Sequence, residues 1–278
     1  MRNRKFICGR FEIDLASKPV VMGIVNVTID SFSDGGLYID VDNAIVHAKK
    51  LIAEGVDILD IGAESTRPGA NKVSSEIEIA RLLPVIESLK NLDIPISIDT
   101  YKPSVMKKVL DAGVDLINDV YAFRIPGAIE IVNNYNCGLC VVHMQGEPSY
   151  MQHDPKYNNL IEDINNFLNN IIKNLTKSGI SKNRILQDPG FGFGKTLDDN
   201  YKIIKNLNYL NQEFPILAGL SRKSMISNIV GKETINRLSG SISAALACVL
   251  NGASIIRVHD VSATISALKI WEKIGKIG

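Results

Sequence analysis

Residues 43–61 read NAIVHAKKLIAEGVDILDI, and the fold class turns on this stretch. In its first part, residues 43–54, Ala44, Ala48 and Leu51 fall on one stripe at helical spacing. Gly55 follows, just past the helix, where a left-handed residue is common. Residues 56–61 then form a short Val/Ile/Leu-rich run without alternation, as in a parallel strand buried on both faces. The stretch is one helix, one glycine stop and one buried strand that ends on Asp60.

The same rhythm repeats in both directions. Apolar runs lie at 20–27, 94–98, 114–117, 137–142, 184–186, 215–220 and 253–258. Between them, 75–89 groups Ile79, Leu82, Leu83 and Ile86, and 160–175 groups Ile164, Leu168, Ile171, Ile172 and Leu175. Further helical stripes cover 201–210, 242–250 and 265–274. Gly113, Gly179 and Gly252 repeat the role of Gly55. Roughly eight strand–helix units in this length predict a parallel (β/α)8 TIM barrel, for which ~250 residues are typical. A doubly wound open sheet is the other arrangement that the alternation permits. The chain reads as one domain over 1–278. Residues 1–18, with Phe6, Ile7, Phe11, Ile13 and Leu15 around Gly9-Arg10, are expected to form a short N-terminal β-hairpin over the barrel bottom.

Composition narrows the class. The 278 residues carry 31 basic and 30 acidic side chains, a net charge of +1. Such a balance argues against nucleic acid as the main partner, since that needs a basic face. No apolar run approaches the ~20 residues of a membrane span. The basic start at residues 1–10 lacks the apolar stretch of a secretion signal, so a cytoplasmic enzyme without a membrane partner is expected. Four scattered cysteines are too few for a disulfide framework in a chain this long.

In a barrel of this kind the chemistry sits at the C-terminal ends of the strands, and polar residues gather there. The strand ends carry Asn26, Asp60, Asp99-Thr100, Asn118-Asp119, His143-Met144, Asp188, Ser221-Arg222-Lys223-Ser224 and Arg257-Val258-His259-Asp260. A single Asp at a strand end is commonly a cap or turn residue; eight polar ends meeting at one mouth point to a ligand site. The carboxylates Asp60, Asp99 and Asp188 suit an aminopyrimidine edge, whereas Arg67, Lys223, Arg257 and His259 suit an anion such as a diphosphate. Asn26 offers a neutral oxygen fitted to Mg²⁺.

Two motifs fail. Residues 190–196, GFGFGKT, resemble a phosphate loop, but Pro189 stands where the Walker pattern needs glycine and Lys195 where the dinucleotide pattern does. Cys137 and Cys140 have CxxC spacing on a strand, where they point to opposite faces and read as buried small apolar groups. His47 and His153 read as solvated, and His143 as a packed strand-end histidine.

Eight segments resemble the dihydropteroate synthase family of pterin-binding enzymes: MGIVNVTIDSFSDGG from Met22, DIGAESTRPGA from Asp60, SIDTYKP from Ser97, LINDV from Leu116, HMQGEP from His143, QDPGFGFGK from Gln187, GLSRKSMI from Gly219 and RVHDV from Arg257. The resemblance spans residues 22–260. It implies a (β/α)8 barrel that condenses 6-hydroxymethyl-7,8-dihydropterin diphosphate with p-aminobenzoate to give 7,8-dihydropteroate and pyrophosphate, with Mg²⁺ as cofactor and a homodimer as the assembly. By resemblance, Asp99, Asn118, Met144, Asp188, Lys223 and Arg257 bind the pterin. Arg67, Ser221, Arg257 and His259 bind the diphosphate. Thr66, Pro68, Phe193 and Ser224 surround p-aminobenzoate, with Lys223 beside them. Phe32 and Asp34 lie in a closing loop, Asn26 is the metal position, and Asp99, Lys223, Arg257 and His259 form the catalytic set.

The resemblance departs at Ile29, where the family carries proline. Losing that φ restraint is expected either to loosen the first loop, weakening p-aminobenzoate capture or altering sulfonamide sensitivity, or to be neutral drift. A catalytically impaired paralogue that still binds pterin is the first alternative function. The second, a pterin-binding methyltransferase domain, has no need of the STRPG, SRKS and RVHD segments.

Overall fold

The computed structural model describes residues 5–27, 37–65, 72–147 and 150–275. Among these, strands β1 (Lys5–Cys8) and β2 (Phe11–Asp14) form an antiparallel hairpin. The strands β3 (Val20–Asn26), β4 (Ile58–Gly62), β5 (Ile96–Asp99), β6 (Leu116–Asp119), β7 (Gly138–Val142), β8 (Ile185–Asp188), β9 (Leu217–Ala218) and β10 (Ile255–Val258) form one parallel sheet. Its order runs β8-β7-β6-β5-β4-β3-β10-β9. A single parallel bridge, Gln187 to Ile216, brings β8 back towards β9 and closes the barrel. The barrel expectation therefore holds over the open sheet.

Helices α1 (Leu37–Ala53), α2 (Ser75–Leu89), α3 (Pro103–Asp111), α4 (Ala128–Asn133), α5 (Leu160–Lys177), α6 (Leu197–Lys205), α7 (Ser224–Val230), α8 (Thr234–Leu250) and α9 (Val261–Gly275) are interleaved with the strands. Gly55, Gly113, Gly179 and Gly252 all take φ between 90° and 98° just past a helix, the left-handed stop read from the sequence. Some boundaries move. The run at 184–186 becomes Ile185–Asp188, because Arg184 ends a 3-10 turn and buries its guanidinium on the carbonyls of Cys137 and Val132. The run at 215–220 keeps only two ladder residues. Helix α8 begins eight residues before the apolar stripe at Ile242.

Alternation along the strands sorts the core into two layers. Odd-numbered residues of β3 and β4, such as Val21, Val25, Leu59 and Ile61, pack outward against the helices. Val20, Met22, Ile58, Leu116, Cys140, Leu186, Leu217 and Ile255 fill the barrel interior. Cys137 and Cys140 fall in different layers, as strand geometry requires. Phe6 and Cys8 of the hairpin join the interior cluster. Phe6 packs so close to Gly138 that a Cβ there would lie 2.6 Å from its Cζ. Gly9 rests on Asp115, whose carboxylate accepts the backbone N–H groups of Arg10 and Ile96. The hairpin thus seals the bottom and leaves the opposite end open.

Candidate active site

Two residues above the interior apolar layer, the next inward position on several strands is polar. Ile58 leads to Asp60, Ser97 to Asp99, Leu116 to Asn118, Leu186 to Asp188 and Ile255 to Arg257. The strand period of two carries each side chain into the mouth.

Arg257 is the hub. Its Nε donates to Asp60 Oδ2 at 2.5 Å and its Nη2 to Asp99 Oδ2 at 2.9 Å. Burial works against its charge, but the two facing carboxylates more than offset this and hold its pKa above the ordinary guanidinium value. Asp60 is fully buried. It also accepts the Ser97 hydroxyl at 2.5 Å and the Asn118 amide at 3.3 Å. Asn118 spends its N–H₂ group there, and its buried Oδ1 has no protein partner. Burial pushes the Asp99 pKa up to about 7, against the pull of Arg257. Asp188 is also raised by burial; its Oδ1 accepts the Gly190 N–H at 2.7 Å. Gly219 keeps the gap open, since a Cβ there would stand 3.6 Å from Arg257 and 3.9 Å from Asp188 Oδ2.

Lys223 enters from the loop after β9. Its Nζ donates to the Phe191 carbonyl at 2.6 Å and lies 4.5 Å from the centre of the Phe193 ring. Burial lowers its pKa to about 8, although Asp188 pulls it upward. Met144 is buried in the interior cluster and Phe193 packs against it. Ser221 is buried; its Oγ accepts the His259 N–H at 3.2 Å and lies 3.1 Å from Nδ1 of that ring. Ser224 is the exposed first residue of α7, and Asn26 is the exposed last residue of β3. Thr66, Arg67, Pro68, Phe32, Asp34 and Ile29 lie outside the described residues.

The structure corrects some readings and adds others. Asp119 does not reach the mouth: it points the other way and accepts the N–H groups of Tyr121 and Phe123 at 2.7 and 2.6 Å, a turn anchor. His47 is not simply solvated, because its Nε2 faces the Ile24 carbonyl at 3.3 Å. His143 is packed as expected, edge-on to Phe167, but it also accepts from a buried Lys195. That lysine entered the sequence reading only as a broken motif. Asp60, read from the sequence as an acceptor for a ligand edge, is instead consumed by Arg257, Ser97 and Asn118. Counting inward positions along β5 would have found Ser97.

The mouth therefore presents acceptors on its floor, with Arg257 among them and Lys223 at the loop after β9. It can hold a flat heterocycle through adjacent N–H donors and an anion beside it. A family model described as "Pterin binding enzyme" matches residues 22–259. The chain is 48% identical over 273 residues to the dihydropteroate synthase of Neisseria meningitidis serogroup C, covering 96% of each. It superposes with a TM-score of 0.90 on the Burkholderia cenocepacia dihydropteroate synthase complexed with 7,8-dihydropteroate, at 45% identity and covering 99% of this chain and 98% of that one. With the Xanthomonas albilineans dihydropteroate synthase bound to 4-aminobenzoic acid the TM-score is 0.91, at 42% identity over 99% of this chain and all of that one. By sequence, fold and the row of polar strand ends, this chain belongs to the dihydropteroate synthase family of pterin-binding enzymes.

Proposed function

We propose that the barrel mouth joins p-aminobenzoate to 6-hydroxymethyl-7,8-dihydropterin diphosphate, releasing 7,8-dihydropteroate and pyrophosphate. The observation that carries this reading is the acceptor-rich floor: the unpartnered Asn118 Oδ1 together with the Asp188 carboxylate. A pterin offers adjacent N–H donors on its pyrimidine edge, which Asp188 and Asn118 Oδ1 accept. Lys223, a donor only, takes the ring carbonyl and nitrogen acceptors. Met144 lines the pocket and Arg257 covers one ring face.

The C–O bond between the exocyclic methylene and the diphosphate breaks, and its electron pair leaves with pyrophosphate. The arylamine lone pair forms the new C–N bond and the amine proton passes to water. The amine is already a nucleophile near neutral pH, so no strong general base is needed. Positive character at the methylene carbon is stabilised by Asp99, with Asp34 as the loop carboxylate. The leaving group is held by Arg67, Ser221, Arg257 and His259. The Ser221 hydroxyl beside Nδ1 orients the His259 ring at the leaving group. Thr66, Pro68, Phe193 and Ser224 surround p-aminobenzoate, and Phe32 and Asp34 are assigned to the same site on the family resemblance.

Asn26 supplies one neutral oxygen. Among the described residues no group of three His, Cys, Asp or Glu side chains could hold a metal alone. That donor set fits a Mg²⁺ held mostly by diphosphate oxygens and water, an ion that would neutralise leaving-group charge when bound. A homodimer is proposed as the assembly on the family resemblance. Among the described residues no helix is long and apolar enough to cross a membrane; a cytoplasmic site of action is proposed on the family resemblance.

The test is pyrophosphate release by the purified protein. Release that yields dihydropteroate and requires both Mg²⁺ and p-aminobenzoate is the expected result. Pterin binding without release would instead mark an impaired paralogue, and absence of pterin binding would sink the reading.

A further inference from the structure

Two pairs stitch the loop after β9 to the loop after β10. One is Ser221 with His259, described above. The other is Arg222 with Asp260: the guanidinium Nε donates to Asp260 Oδ2 at 2.9 Å while Nη2 donates to Oδ1, a bidentate fork. Asp260 is itself fixed, because its carbonyl accepts the N–H of Thr264 at 3.1 Å and its hydroxyl at 2.7 Å in the first turn of α9.

Arg222 has an unusual backbone, with φ at +58°. A non-glycine residue in this left-handed region carries strain that the surroundings must hold in place. They do so from α8: the Arg222 N–H donates to Ser241 Oγ at 3.0 Å, and the buried Ser241 hydroxyl donates to the Arg237 carbonyl at 2.6 Å. The strained residue sits between Ser221 and Lys223. On one side the chain turns Ser221 onto His259; on the other it sends Lys223 to the Phe191 carbonyl, over Phe193. Both nitrogens that Arg222 aims at Asp260 are committed to that carboxylate, and the side chains remain 35% and 18% exposed. A partly exposed pair adds only modestly to stability even as a bidentate fork. A left-handed residue held in place for a modest gain is reasonable where the geometry itself is used.

We propose that the Arg222–Asp260 pair is a positioning clamp, setting the distance between the diphosphate-holding Ser221 and His259 and the ring-facing Lys223. The clamp rests on the reading of those three residues in the reaction above. Lysine could not replace Arg222, since a point charge cannot form the fork.

The experiment uses the full chain with Arg222→Gly, Arg222→Lys and Asp260→Asn. Glycine relieves the left-handed strain, so Arg222→Gly should melt no lower than the parent, and Asp260→Asn keeps the side-chain shape. For each, kcat, both KM values, the affinity for inorganic pyrophosphate and the affinity for 6-hydroxymethylpterin are measured. All three variants should lose kcat and pyrophosphate affinity by about tenfold to a hundredfold, as misplacement of reacting groups does. Affinity for the unphosphorylated pterin should fall much less, because Asp188 and Asn118 hold that ring from strands the clamp does not touch. Unchanged kcat and pyrophosphate affinity would overturn the clamp, as would a parallel fall of melting temperature and every affinity. A parent protein that binds no pyrophosphate and turns over no substrate would overturn the reading of the site and the clamp with it. That failure is distinguishable, because a clamp that fails alone does so against an active parent.

Discussion

Replacing Lys195 by methionine should change how the stability of this barrel depends on pH. Lys195 is only 3% exposed. Its Nζ donates to His143 Nδ1 at 2.9 Å and to the Phe193 carbonyl at 3.0 Å, both neutral acceptors. Burial dominates, lowering its pKa from 10.5 to about 7 even though Asp188 pulls it upward. The same burial, with the Lys195 charge beside it, keeps His143 neutral by lowering its pKa to about 2. Between pH 7 and 10.5, then, the unfolded chain holds a proton on Lys195 that the folded chain has released. Stability rises with pH wherever the unfolded state binds more protons, by up to about 1.4 kcal/mol per pH unit for one group. Below the folded pKa the penalty is fully present and constant; above the unfolded one it is gone.

From about pH 7.5 to about pH 9.5, this group alone should add roughly 2 kcal/mol to the stability of the parent protein. Lys195→Met removes that contribution. It also strips His143 and the Phe193 carbonyl of a donor, an offset that does not vary over this range. Most other titrations are shared and cancel in the difference between the two proteins. Urea unfolding can be followed through Trp271, the single tryptophan, which packs against the outer core layer. The parent should gain on the variant by about 2 kcal/mol across the range. A difference that stays flat with pH would mean that Lys195 titrates like a solvated lysine, and the low-polarity account of this side of the mouth would be refuted.

Arg257→Met should abolish turnover and lower stability by about 3–5 kcal/mol, because Asp60 and Asp99 would face each other unpaired. Thermal melts should show part of that loss recovered by adding Asp60→Asn, and less loss at pH 6 than at pH 8 as Asp99, whose pKa is about 7 even with Arg257 present, takes up a proton. Asp188→Asn should weaken pterin binding by about tenfold to a hundredfold in calorimetry and leave pyrophosphate affinity unchanged, since a charge-assisted acceptor is lost. Gly138→Ala would press a Cβ to 2.6 Å from Phe6 Cζ at the sealed end; it should cost about 1–3 kcal/mol of stability without altering either KM.

The barrel was legible because its strands are buried on both faces and its helices are striped; glycine stops such as Gly55 and Gly113 marked the joins. Site residues at strand ends were legible for the same reason, but only by name and not by direction. Asn118 and Asp119 are neighbours in sequence, yet one faces the mouth and the other a turn. Only the strand register separates them, with Asn118 opposite Asp99 and Cys140. Lys195 was invisible to pattern reading: a lysine after glycines suggests a phosphate loop, and nothing local reveals that the chain folds it under the mouth against His143. The left-handed Arg222 was equally hidden, since arginine carries no preference for that conformation. The loop readings at Ile29, Phe32, Asp34, Thr66, Arg67 and Pro68 rest on resemblance alone.

The electrostatics of the mouth follow from the seal at the other end. Phe6, Met22, Ile58, Leu116 and Leu186 fill the interior beneath the polar row, so water approaches that row from above only. Three carboxylates in such a place would repel one another unless matched. Asp60 is satisfied by Arg257, Ser97 and Asn118, and Asp99 shares the same guanidinium. Asp188 keeps one oxygen beyond its bond to Gly190, and Asn118 keeps its carbonyl. These, with Asp99 Oδ1, are the acceptors that the fold leaves open in a region where an unmet acceptor is costly. A ligand that brings paired N–H donors recovers that cost on binding, whereas one that brings acceptors adds to it. The selectivity for a donor-edged heterocycle is thus set by what Arg257, Ser97 and the strand register already consume.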